Sequence, residues 1–98
     1  MDGAAVWQKF FCEWPADLPR RGVIVTAFGE QIPFDGFQTG PDLLLVDRKN
    51  PDTLGARKIV LAYSQVLGLK IVDVMDPRAL APFGFAAPPS PTAERRKP

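Results

Sequence analysis

Four cations bracket one short segment of the chain, Arg48-Lys49 before it and Arg57-Lys58 after it. Grouped at one end of a hairpin, such side chains can contact phosphate oxygens, which makes these four the candidate nucleic-acid-binding set. The competing reading is a solvated hairpin end, partly neutralised by Asp47 and Asp52. Arg20-Arg21 either extends a basic surface or solubilises a linker. Arg95-Arg96-Lys97 lacks the interleaved aromatic residues on which single-stranded bases stack.

Other chemistry is sparsely provided. The chain has no histidine, so the commonest general base and metal ligand is missing. Cys12 is the only cysteine; inside an aromatic-rich segment it reads as a buried thiol rather than a nucleophile. Asp35, Asp42 and Asp47 are the carboxylates that turns could gather around a metal, although solvated aspartate is the norm at such positions. Gly29, Gly36 and Gly40 do not have the spacing of a phosphate-cradling loop, and no helix follows them. No catalytic, cofactor-binding or metal-binding residue is assigned, and a protein without enzymatic activity or cofactor is expected.

The elements that must position these residues are short apolar runs separated by turn signals: Val23–Phe28, Gln31–Gln38, Leu43–Asp47, Ala56–Tyr63 and Leu67–Val74. Five strands in so few residues satisfy their backbone groups most simply as a small closed or nearly closed barrel. Pro33 implies an edge position or a bulge, and Gly36 a sharp bend. Thr39-Gly40-Pro41-Asp42 is a turn, residues 48–55 a longer hairpin loop, and Ser64-Gln65 leaves room only for a turn of 3₁₀ helix. In the last run Leu67, Leu69 and Ile71 share a face. The third and fourth runs are apolar on both faces, so their outer faces need cover from a helix or a neighbouring subunit.

Residues 3–14 read as a helix, with Val6, Phe10 and Trp14 recurring every four positions, Trp7 and Phe11 widening the stripe, and Pro15 stopping it. That much aromatic surface must dock on the barrel or on a partner. From Asp76 the composition changes: six of the eleven prolines lie in residues 77–98. The domain is therefore placed at 1–76 and a Pro-rich tail at 77–98, with Phe83 and Phe85 pinning its start and disorder expected beyond about Ala86.

With 98 residues, 46% of them hydrophobic and 23% charged, the chain has room for one globular domain. A net charge of +1 favours no polyanion in bulk. A lone cysteine permits no internal disulfide and suits a reducing compartment. Asp2, Gln8, Lys9 and Glu13 break the pattern of a signal peptide, and no run approaches the roughly 18 apolar residues of a membrane span. The expectation is a cytoplasmic protein with no membrane association.

One short helix, five strands, a loop between the third and fourth, and an almost absent connection before the fifth resemble the Sm-like small barrels, including the bacterial Sm-like RNA chaperone. The matching residues are Val23-Ile24-Val25, Ile32-x-Phe34-x-Gly36, Leu43-Leu44-Leu45-Val46-Asp47 and Tyr63-Ser64-Gln65-Val66, and the match spans roughly residues 4–74. Other SH3-like barrels share much of this pattern. The resemblance implies a mainly β fold, assembly of subunits into rings by pairing the fourth strand of one with the fifth of the next, and binding of U-rich or A-rich RNA. Two departures bear on the last point. Thr39-Gly40-Pro41-Asp42 stands where the family places an Asp-x-x-x-Asn element, and Tyr63-Ser64 stands where it places Arg-Gly or Lys-His. The RNA pocket is not carried over.

The expected function is therefore a protein-interaction module that forms homo-oligomers through strand edges, with Val60, Ala62, Leu69 and Ile71 as the interface residues. An Sm-like RNA binder using the basic loop is the alternative.

Overall fold

The computed structural model describes residues 3–85. The expectation of disorder beyond Ala86 lies outside the described residues. Helix α1 spans Gly3–Cys12, and the strands are β1 (Gly22–Thr26), β2 (Gln31–Thr39), β3 (Leu43–Arg48), β4 (Lys58–Ala62) and β5 (Val66–Lys70). A 3₁₀ turn, Tyr63–Gln65, joins β4 to β5, and a second 3₁₀ segment covers Pro77–Phe83. All five predicted runs contain a strand; β2 and β3 begin at the expected Gln31 and Leu43, and β5 ends at Lys70, four residues before the expected Val74.

The strands form one antiparallel sheet in the order β4-β3-β2-β1-β5. Local chemistry sets the first hairpin. There, buried Thr26 uses its hydroxyl both ways: Oγ1 donates to the Glu30 carbonyl at 2.8 Å and accepts from the Glu30 N–H at 3.0 Å. Gly29 supplies the positive φ of 87° that this tight turn needs. Pro33 lies in a central strand, beside a register shift between Phe34 and Gly36 where the ladder with β3 is interrupted. The missing proline N–H is thus placed at a bulge, the second of its two expected settings.

One face of the sheet carries the core: Ile24, Ile32, Phe34, Phe37, Leu44, Val46, Leu61, Tyr63 and Val66, joined by Phe11, Trp14 and Leu18 from the N-terminal segment. The segment after α1 is tied down because the Trp14 indole N–H donates to the Leu18 carbonyl at 2.8 Å. Arg20 lies over the Phe37 ring, 4.6 Å from its centroid, and closes that corner.

Three expectations are corrected. Cys12 is exposed rather than buried, with Gln8 Nε2 at 3.3 Å from its sulfur; α1 turns its Phe11 side inward. The helix packs on the core face, so it leaves the outer side of β3 and β4 uncovered, with Leu43 and Val60 49% and 59% exposed. Leu67 does not share a face with Leu69. A register shift in the β1–β5 ladder makes Leu67 the extra residue of a bulge, and its side chain is 65% exposed.

Candidate functional site

The hairpin end that carries the basic residues is held by one carboxylate. Asp52 Oδ1 accepts from the N–H groups of Leu54 and Ala56, both at 2.8 Å, and Gly55 completes the turn with φ 88°. Those bonds, Ala56 first and then Leu54, hold the Asp52 carboxyl below its usual range. A depressed folded-state pKa stabilises the loop above the unfolded value, and that contribution is lost as pH falls through the folded one. Protection of the Leu54 and Ala56 amides from hydrogen exchange is therefore expected to fall as the pH drops below about 4. Asp52→Ala should show the same loss already at neutral pH. Equal protection in the variant and the parent would exclude this role.

The four cations do gather here, since the Arg48 N–H donates to the Arg57 carbonyl at 2.8 Å. They are not equivalent. The Arg48 side chain is only 10% exposed, ion-paired to Glu30 at 3.1 Å and donating to the Asn50 carbonyl. Lys58 is ion-paired to Asp47. Lys49 and Arg57 are exposed and have no ion pair among the described residues. An anion would meet two available cations at this end.

Chemistry elsewhere is limited. No group of three His, Cys, Asp or Glu side chains is placed to hold a metal among the described residues. The Tyr63 hydroxyl donates to the Gly40 carbonyl at 2.8 Å, and burial pushes its pKa up, so it stays a neutral donor.

The two edges of the sheet are the other candidate. In an antiparallel ladder alternate residues point their backbone groups at the neighbouring strand, and the residues between point them away. The Arg48–Arg57 bond fixes that alternation for β4: Ile59 and Leu61 bond to β3, while Lys58, Val60 and Ala62 direct their N–H and C=O groups outward. On the other edge the Ala27 N–H donates to the Gln65 carbonyl at 2.8 Å. With the bulge, Gln65, Leu67-Gly68 and Lys70 face β1, and Val66 and Leu69 direct their backbone groups away. Ile71 continues that alternation.

No family model matches this chain, and no curated protein or solved structure matches it. Among the described residues no helix is long and apolar enough to cross a membrane.

The four residues expected at an oligomer interface thus lie at the two edges of the sheet, which no further strand pairs with among the described residues. Val60 and Ala62 project from the outer face of β4. Leu69 and Ile71 lie on the core side of the other edge, packed against the core cluster. Ile71 follows β5 directly. Leu43 and Leu45, which complete an apolar outer patch with Val60, were recognised in sequence as needing cover but not as part of the interface. Their cross-strand pairing places them on the same outer face as Val60 and Ala62: Leu45 stands opposite Val60 and Leu43 opposite Ala62.

Proposed function

We propose that this chain is a non-enzymatic assembly module, a small SH3-like or Sm-like barrel unit that binds further copies of itself through strand edges. The observation that carries this reading is the β4 edge, where outward-directed backbone groups coincide with exposed apolar side chains. A natural edge strand that avoids association is short, charged or covered. β4 instead presents Val60 at 59% exposure, backed by exposed Leu43, and only Lys58 is charged. In this reading the sheet curls so that the 3₁₀ turn brings β4 and β5 to adjacent sides of each unit, and the edges are completed by neighbours. The Sm-like resemblance in strand order supports the same arrangement.

The test is the mass in solution of Val60→Pro, by light scattering on a sizing column. Among the described residues the Val60 N–H points away from β3, so proline removes no ladder bond there and is tolerated as at other edge positions. A folded monomer is expected, from a parent that is oligomeric. A folded variant with the parent's mass would overturn edge pairing through β4.

A second reading rests on the two available cations, Lys49 and Arg57, and makes the module an RNA binder. Absorbance at 260 nm in excess of the protein's own in the same sizing run, lost when both residues are reversed in charge, would favour it over protein-only assembly.

A further inference from the structure

An apolar groove of about 480 Å³ lies beside the β5 edge, between α1 and the Pro77–Phe83 segment. Leu69 and Ile71 form its floor, Val6 and Phe10 one wall, and Leu80 and Phe83 the other. The second wall is held by the Phe83 ring on Phe10, 4.6 Å between centroids, and by Asp76, whose carboxylate accepts from the Arg78 N–H at 2.9 Å.

We infer that this groove is the socket for the outer apolar patch of β3 and β4, Leu43, Leu45 and Val60, of a second copy of the chain. The inference rests on the edge-pairing reading above and adds which faces meet. Residues directly opposite each other in an antiparallel ladder project to the same face. The outward-bonding residues of β4, Lys58, Val60 and Ala62, all lie on the outer face, because their neighbours Ile59 and Leu61 pair with Val46 and Leu44 of the core. The outward-bonding residues of β5, Val66 and Leu69, lie on the core face, because Leu69 stands opposite Ile24 and Val66 opposite Thr26. An antiparallel joint between the two edges must therefore continue the outer face of β4 into the core face of β5. With Val60 set near Leu69, it carries the outer patch of one copy over the groove of the next.

Parity alone also allows a parallel joint, in which Val60 would stand beside Gly68 or Lys70 and outer face would continue outer face. That joint leaves both the groove and the patch wet. The antiparallel one covers the two apolar surfaces against each other, and it centres on Val60 opposite Leu69, the middle residues of Lys58, Val60, Ala62 and of Val66, Leu69, Ile71.

Hydrogen-bonded antiparallel partners have Cα atoms about 5.5 Å apart, within the range a disulfide spans. In the full chain carrying Cys12→Ser, Val60→Cys with Leu69→Cys should oxidise to a covalent ladder of multimers on a non-reducing gel. Val60→Cys with Leu67→Cys, which projects from the opposite face of β5, should give none. The reverse result would overturn the socket while leaving edge pairing standing; no ladder in either, with Val60→Pro retaining the parent's mass, would overturn both. Leu80→Glu supplies an independent reading, since it charges the far wall of the groove without touching either edge backbone. Loss of the assembled mass is expected, and an unchanged mass would overturn the socket.

Discussion

Replacing Phe11 by alanine is expected to lower the melting temperature by on the order of 20 °C, the largest effect of any single truncation in the helix. Phe11 is the one side chain of α1 with no exposure at all. Its ring contacts Phe37 edge-on at 5.1 Å and stacks on Trp14 at 5.8 Å, with Phe10 and Trp7 at 5.9 and 6.0 Å. Truncating a buried phenylalanine costs about 3–5 kcal/mol, transfer and cavity together. Small domains hold only about 5–15 kcal/mol in all. A helix of ten residues is too short to persist without its packing, so α1 should leave the core face as a unit. The expected signature is loss of near-ultraviolet tryptophan dichroism together with helical signal, while the sheet signal persists to higher temperature. Gln8→Ala, on the same helix but outside both the core cluster and the groove, is the control and should change little. A Phe11→Ala midpoint within about 5 °C of the parent would mean that α1 adds almost nothing to the core.

The same helix shows what was legible in the sequence. Its existence follows from residue types, although it ends at Cys12, two residues short of the expected Trp14, and the choice of buried residue does not follow from a spacing of four. Each step of four residues turns about 40° past a full circle, so a stripe read through Val6, Phe10 and Trp14 drifts around the helix. The buried line runs through Phe11 and Trp14, three apart, and Cys12 is carried out to solvent. In β5 the alternation of Leu67, Leu69 and Ile71 is equally persuasive and equally misleading, since one bulge residue reverses every position before it. Gly68 is the only local sign of that bulge. The partners of the basic loop were half legible. Asp47 was anticipated as a neutralising carboxylate at this hairpin end without its partner Lys58, whereas Glu30 reaches Arg48 only because the β1–β2 turn abuts the end of β3, an arrangement no local pattern encodes. The edge residues could be named from sequence as apolar and were expected at an interface. Which of them direct their hydrogen bonds outward depends on single ladder bonds, Arg48 to Arg57 and Ala27 to Gln65, and only the folded chain shows those.

Gly22→Ala is expected to cost about 1–3 kcal/mol through overpacking and to lower the midpoint by about 10 °C, although it adds a single methyl group. Gly22 opens β1, is buried, and stands opposite Phe34. Its conformation is not the constraint; the space is. A Cβ there would sit 2.6 Å from the Lys70 carbonyl oxygen, with Phe34 and Leu69 side-chain atoms at 3.5 and 3.6 Å. The nearest atom is backbone, so no rotamer change relieves the clash, and β5 must move away from β1 at its C-terminal end. That movement strains the Val23–Lys70 and Ile24–Leu69 pairs. It also displaces the edge on which the proposed assembly depends, so Gly22→Ala should lose oligomer mass at temperatures where it is still folded. Gly68→Ala in the same pair of strands provides the contrast. Its Cβ would meet only Val25 Cβ, at an ordinary 3.9 Å, and both stability and mass should stay near the parent's. If the two variants melted together with the parent, the close approach of β1 and β5 at Lys70 would not be a constraint on this fold. If Gly22→Ala melted low yet kept its full oligomer mass, the edge of β5 would not be where the copies meet.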